Sequence, residues 1–392
     1  NLYKNRFYDN SWTVGEWLIS YAGGFVRRGL PGELIHFIST QYSLGPILIV
    51  WFFSIVSLAA LILLLLNFCK NLFEKSFLLS QLIILAPLSE NYFVRKDAFL
   101  VLLYGLSLLI MKAHYHKSIN KLIAVLSVNL ISMVAIFSHE SYGIWGLPSL
   151  LIIFSIFEKK GKKNIFQSFL CATLFLLPAI LSFFLCWFFK GDTNQSLMIH
   201  QSWQSLAEII PSVSGLYEKD PSGAIAAIGW GTSQVFTSSL ISQFNLFIFW
   251  HPGMWLLTIF ISIRLFIGKK KDLNQKLKRT IVCSQFVAFI PMFLFVDIGR
   301  WIFMWLTSSA LLFSFLYQTF GFKKLSYFSS TLKGQQILTK IIPQFSSIRN
   351  YNYVLLFFGI PHCCWSLGRY LVSNPIGFGI KNIIFYTKFL FS

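Results

Sequence analysis

The 392-residue sequence is 55% hydrophobic and 18% aromatic with only 12% charged residues, which excludes the composition of a soluble enzyme. Its net charge of +19 would suit nucleic acid, but most basic residues fall in short loops between apolar runs, so no nucleic-acid partner is expected. The apolar runs are continuous rather than alternating, which argues against a β-barrel and predicts an all-α, polytopic helical membrane protein.

In chain order, residues 1–44 are mixed in character. Ser11 to Ser20 reads as a short amphipathic helix with Trp12 and Trp17 at an interface and Glu16 exposed. A glycine-rich, doubly basic turn follows, Tyr21 to Glu33, containing Arg27 and Arg28. Pro31 then opens a second short helix, Gly32 to about Thr40. Both helices are expected to lie along a membrane surface. The chain begins at Asn1 in polar sequence without an initiator Met, and one transmembrane helix is expected upstream of it; no signal peptide is visible.

Apolar runs follow at 45–68, 78–94, 98–113, 122–138, 141–157, 166–189, 243–266, 281–296, 301–320 and 351–373. They predict about 10 transmembrane helices in a single transmembrane domain over 1–392, several extending into polar flanks to reach a spanning length. The loops at 69–77, 112–121, 158–165, 267–280 and 321–350 hold 20 of the 33 Lys and Arg but only three of the 14 acids, Glu74, Glu158 and Asp272. That bias places them in the cytosol. The opposite side receives the juxtamembrane segment 1–44, the tight turns at 94–97, 138–141 and 297–300, the long external loop 190–242, and the C-terminal tail. The six cysteines, at 69, 171, 186, 283, 363 and 364, lie in or beside apolar runs and predict neither a disulfide framework nor a metal cluster.

The external side collects the chemistry-bearing residues. Arg27 and Arg28 offer forked donors suited to phosphate or carboxylate, and Glu33 closes their segment; the same arginines also suit lipid headgroups. Three hairpin tips are ionisable: Arg95-Lys96-Asp97 with Glu90 one or two turns earlier, His139-Glu140, and Asp297-Ile-Gly-Arg300. Ionisable groups beside apolar spans are costly unless paired or facing a wet cavity, which makes them candidates for function, although hairpin tips also need polar residues. Asp9 sits where a general base could accept a proton from an attacking hydroxyl. His139-Glu140 has no partner histidine at position 143, which is Gly, so zinc-protease chemistry is unsupported, and no Walker, Rossmann or GxSxG pattern occurs. In the loop 190–242, Trp203 and Trp230 beside Asp192, Glu208, Glu218 and Asp220 suit sugar stacking and equally an interfacial cap, and Asn194-Gln-Ser196 reads as a glycosylation sequon.

These features together resemble the GT-C superfamily of polytopic membrane glycosyltransferases, which use polyprenyl-phosphate-linked sugars on the outer face of the membrane. The resemblance rests on Asp9 opening an external loop with two juxtamembrane helices, and on the charged tip Arg95-Lys96-Asp97 in the next external loop. Gly23-Gly-Phe-Val-Arg-Arg-Gly-Leu30 and Asp297-Ile-Gly-Arg-Trp301 are similar to segments of uncharacterised membrane proteins from bacterial surface-polysaccharide clusters. The resemblance implies a transferase in the bacterial cytoplasmic membrane with its site on the extracytoplasmic face. The partners would be membrane lipid, a polyprenyl-phosphate-linked sugar donor and a glycan or lipid acceptor. Asp9, Asp97, His139, Glu140 and Asp297 would be the catalytic candidates. Arg27, Arg28, Glu33, Glu90, Arg95, Lys96 and Arg300 would bind phosphate or substrate. No cofactor is indicated, and a divalent cation, magnesium or manganese, bridging carboxylate and phosphate is compatible with the resemblance. A transporter or flippase for a lipid-linked anionic glycan would use the same basic cavity without a base; no internal repeat, as a transporter would favour, stands out.

Overall fold

The computed structural model describes residues 11–70, 78–79, 83–84, 86–87, 93–159, 164–209, 220–230, 284–291 and 298–320. Asp9, Glu90 and Asp297 lie outside the described residues, as do the predicted apolar runs 243–266 and 351–373, most of 78–94 and half of 281–296. The described residues are helical without strands. Two compact units divide the chain, Asn1–Leu61 with Phe93–Ser238 and Ile62–Tyr92 with Ser239–Ser392.

The first unit opens with α1 (Thr13–Trp17) and α2 (Gly29–Tyr42). The predicted amphipathic helix is thus shorter than Ser11 to Ser20, and the second starts three residues before Gly32, with Pro31 in the first turn, where its missing N–H costs nothing. Glu16, expected at the surface, is instead buried at 3% exposure. The reason is packing on every side: Val14, Trp17, Leu18 and Ile19 enter one apolar cluster with Val26, Ile35, Ile49, Val50 and Trp203. Of the predicted interfacial pair Trp12 and Trp17, Trp12 keeps a large exposed surface, at 45%, while Trp17 is buried.

Helices α3 (Pro46–Phe68), α4 (Asp97–Tyr115) and α5 (Lys121–Ser138) are each long and apolar enough to cross a membrane. Asn120 caps α5 by accepting from the Ile123 amide at 2.8 Å. The apolar run 141–157 divides at Gly146 into α6 (Ser141–Trp145) and α7 (Leu147–Lys159), which still amount to one spanning stretch, Ser141–Glu158. The run 166–189 breaks more sharply into α8 (Ile165–Phe175) and α9 (Leu177–Phe188), bent by 67°. Pro178 in the first turn of α9 cannot continue the backbone ladder. One side chain mends the gap: Asn129 of α5 donates to the Phe175 carbonyl at 2.6 Å and accepts from the Ala179 amide at 3.2 Å. In an apolar layer such backbone groups have no water to turn to, so the break sits where a polar neighbour serves it.

The segment 190–242, predicted as a loop, is helical in part of its described residues. Asp192 accepts from the Gln195 amide at 2.8 Å and so starts α10 (Thr193–Ile209), followed by α11 (Gly223–Ala226) and a 3-10 turn, Ala227–Gly229. Trp203 has no exposed surface and its indole donates to the Leu18 carbonyl at 2.6 Å, so it is a packing residue rather than an open stacking face. Trp230 keeps 39% exposure and meets Trp12 edge-on at 5.6 Å. The sequon hydroxyl of Ser196 is buried and donates to the Ile225 carbonyl at 2.8 Å.

In the second unit the described part is dominated by α12 (Ile298–Phe320). Its polar residues are internal: Ser308 accepts from Gln285 at 2.8 Å, and Gln318 donates to the Phe68 carbonyl at 2.6 Å. Five described helices qualify as spans, or six when the bent pair α8–α9 counts as one.

Candidate functional site

The site is built at one end of the first unit's helices, where the glycine-rich turn, the start of α4, the α5–α6 junction and the end of α9 meet. The turn is held by its backbone. Arg27 donates its amide to the Phe189 carbonyl at 2.9 Å, and Gly24 donates to the Tyr21 carbonyl at 2.9 Å. Gln195 of α10 donates to the carbonyls of Gly23 at 3.2 Å and Phe25 at 3.5 Å. Gly24 has φ +96°, a conformation side chains resist, and a Cβ on Gly32 would stand 2.0 Å from the Ile19 carbonyl oxygen. The glycines therefore let α2 press on the backbone after α1 and deliver two arginines to one place.

Arg28 precedes α2 in the left-handed conformation, φ 67°, which is uncommon for a residue with a Cβ. Its guanidinium grips Glu140 as a fork, Nε to Oε2 at 2.8 Å and Nη2 to Oε1 at 2.5 Å. Arg27 reaches the same Oε1 from Nη1 at 3.3 Å. The Arg27 and Arg28 side chains are 22% and 26% exposed and that of Glu140 12%. Burial alone would raise the Glu140 carboxyl; Arg28 first, then Arg27 and His139, hold it well below the ordinary carboxylate range. Burial lowers Arg27 from its usual value, opposed mainly by Glu140.

His139 stands behind this fork. Its Nδ1 accepts from the Ser141 amide at 3.2 Å, which leaves the proton on Nε2, 3.3 Å from Oε1 of Glu16. Burial, then Arg28, lowers its pKa against the pull of Glu140 and Glu16, so the ring is neutral at neutral pH. Lys96 has no exposed surface, and its ammonium donates to the carbonyls of Arg28 at 3.3 Å and Ser138 at 3.1 Å. It also lies 5.8 Å from the centre of the Trp17 ring, whose indole donates to the Val94 carbonyl. A buried lysine thus ties the arginine turn to the end of α5.

Of the sequence candidates, Arg27, Arg28, Lys96, His139 and Glu140 are joined in one chain of contacts. Arg95 and Asp97 flank Lys96 and are buried at 7% and 1% exposure. Glu33 is exposed and accepts from the Tyr21 amide at 2.9 Å, closing the turn that it ends. Arg300 belongs to the second unit, at 5% exposure, with its guanidinium 5.2 Å from the Trp301 ring. Glu16, Trp17 and Gln195 complete the site and were not among the sequence candidates. For Glu16 the signal was an acid among Val14, Trp17 and Leu18, the same cost argument that singled out the hairpin tips. Nothing in the sequence marks Gln195. Among the described residues no group of three or more His, Cys, Asp or Glu converges as a metal-ligand set, and both Glu140 oxygens are engaged by arginine. These residues do not fit a bridging divalent cation.

Chemically, the arrangement is a pair of guanidiniums sharing one internal carboxylate at the ends of apolar helices, donors of a kind that suits an anion. The cluster of α1, the glycine turn, α4, α5 and α6 lies wholly within residues 6–204, the segment that matches the model of a membrane-protein family. No curated protein and no solved structure matches the chain. The matched segment is just over half of this helical, membrane-integral chain, which belongs to the family described as uncharacterised membrane protein Rv1490.

Proposed function

We propose that the protein is a membrane glycosyltransferase that moves a sugar or oligosaccharide from a polyprenyl-phosphate donor to a glycan or lipid acceptor on the extracytoplasmic face. The observation that carries the reading is the convergence of Arg27 and Arg28, from one glycine-shaped turn, on Glu140 at the helix ends. Paired guanidiniums that are both partly exposed and rigidly held suit the phosphate of a lipid whose tail lies along apolar helices. In the reaction the acceptor hydroxyl attacks the anomeric carbon, its proton passes to a carboxylate, and the anomeric C–O bond breaks. Polyprenyl phosphate leaves with the bonding pair, its charge met by the arginines; fixed donors of this kind often supply the largest part of a rate enhancement.

The ionisation of Glu140 suits it to orienting the arginines, since a carboxylate held far below its usual range is a weak base. Asp9, Asp97 and Asp297 remain the base candidates that the sequence offers. Asp9→Asn, Asp97→Asn, Asp297→Asn and Glu140→Gln, each assayed in proteoliposomes with a labelled polyprenyl-phosphate sugar, test the reading. Loss of transfer is expected in one of the aspartate variants. Full transfer in all four would remove the base, and translocation of the lipid-linked sugar without any transfer would make the protein a carrier.

A further inference from the structure

The turn that delivers the arginines also delivers two aromatic rings. Gly24 donates to the Tyr21 carbonyl, and this reversal of the chain lays Phe25 on Tyr21, with ring centres 5.4 Å apart and planes 21° from parallel. Phe25 also meets Phe137 at 5.9 Å and Phe189 at 5.4 Å, both edge-on. These rings share the frame of the fork. Phe137 lies three residues before Glu140, and Phe189 gives its carbonyl to the Arg27 amide. Tyr21 packs against the residue after Arg28, where a Cβ on Gly29 would stand 2.2 Å from its Cε1.

Trp203, predicted to stack sugar, is buried, whereas these rings stay open: Phe25 is 36% and Phe189 50% exposed, and Tyr21 and Phe137 are partly exposed. Polar groups stand beside them. Among the described residues the Tyr21 hydroxyl has no hydrogen-bond partner. Gln195 directs its amide nitrogen to the Gly23 and Phe25 carbonyls, and its side-chain oxygen accepts no hydrogen bond from a described residue. Open ring surface next to a hydroxyl and a carboxamide oxygen suits a saccharide, whose C–H face lies on a ring while its hydroxyls find donors and acceptors. A hydrocarbon chain would leave both polar groups unmatched.

Position separates the two arms of a lipid phosphodiester. Its isoprenoid arm follows the apolar spans, and the other arm leaves the phosphate away from them. Phe137 is in the last turn of α5 and Phe189 directly follows α9, so the rings gather where these helices stop, with the start of α10 bonded to the Phe25 carbonyl. Granted the phosphate clamp proposed above, we infer that Tyr21 and Phe25 form the stacking platform for the sugar ring of the lipid-linked donor, with the Tyr21 hydroxyl and Gln195 as its polar contacts.

The test is binding, not turnover. The full chain in phosphatidylcholine nanodiscs is titrated with farnesyl phosphodiesters of glucose, galactose, mannose and N-acetylglucosamine, and with farnesyl methyl phosphate, which has the same tail and charge without a sugar. For the wild type, at least one sugar diester is expected to bind about tenfold more tightly than the methyl diester, the scale of one stacked ring. Phe25→Ala and Tyr21→Leu should bring that ratio toward one. Phe25→Leu, which keeps apolar volume without a ring, should do the same and stands in if the alanine variant does not fold. Equal binding of the methyl diester and all four sugar diesters by the wild type, or a ratio that survives in both ring variants, would overturn the platform and leave the clamp standing. So would equal weakening of sugar and methyl diesters in the variants, which would assign the rings to the isoprenoid arm. No diester bound by the wild type would overturn the clamp itself.

Discussion

Replacing Glu140 by Ala removes a carboxylate that both arginines share, and the cost can be worked from the geometry. Arg28 loses two hydrogen bonds, at 2.8 and 2.5 Å, and Arg27 loses one at 3.3 Å. Breaking a fully buried pair costs about 3–5 kcal/mol, mostly by leaving a charge unmatched. Here the arginine side chains are 22% and 26% exposed, so water recovers part of that, and the low end, about 3 kcal/mol, applies. Unfolding entropy of about 2.1 cal/mol/K per residue makes this a fall in Tm of roughly 4 °C for a chain of this size. Tryptophan fluorescence during heating in detergent would follow it. Adding Arg28→Met to Glu140→Ala removes the stranded charge, so the double variant should recover part of the loss. Strict additivity of the two single effects would mean that the side chains do not interact and would refute the reasoning.

Two further outcomes follow from the same end of the molecule. Gly32→Ala places a Cβ 2.0 Å from the Ile19 oxygen and 2.4 Å from its carbonyl carbon, which are backbone atoms and cannot rotate away as a side chain would. The substitution should cost about 1–3 kcal/mol and lower Tm; an unchanged melting curve would show that α2 does not press on the chain after α1. Acidification should destabilise the fold in two steps. His139 is held below its ordinary pKa of 6.5, so the unfolded chain binds its proton first and stability falls as pH drops below that value. Glu140 is held below 4.5, so its contribution is present above that pH and is lost on further descent. His139→Gln should flatten the first step in Tm measured between neutral pH and the onset of the second; an equal slope in the variant would remove His139 as its source.

The fold's class and much of its span placement were legible because apolar runs and charged loops are long-range, additive signals. The runs at 45–68, 98–113 and 122–138 reappear as α3, α4 and α5 with ends moved by a few residues. What composition does not encode is how a span is interrupted. The break between α8 and α9 is announced by Pro178, but its viability depends on Asn129, 50 positions before Ala179, whose side-chain amide serves both freed backbone groups. A hydropathy reading sees Asn129 only as a polar residue in an apolar run. In the same way α10 was hidden inside what read as a loop, since a helix that packs through Trp203 and Leu206 needs no long apolar stretch.

At the site, the residue types singled out Arg27, Arg28 and Glu140 and left their pairing open. Arg27 and Arg28 read as donors waiting for an external anion; the structure gives them an internal one, 112 positions along the chain from Arg28. That changes the physical question from attraction to exchange. Two free guanidiniums would bind any phosphate, with affinity rising with its charge. Two guanidiniums that share Glu140 are already engaged, so an entering anion would compete with that carboxylate for their donor edges. The buried Glu16–His139 contact adds to this: it orients the ring beside Glu140 and holds the α5–α6 junction from behind. What the fold has built there is a pairing of a turn near the start of the chain with a helix junction more than a hundred residues later, and that pairing is set by packing that no local stretch of sequence announces.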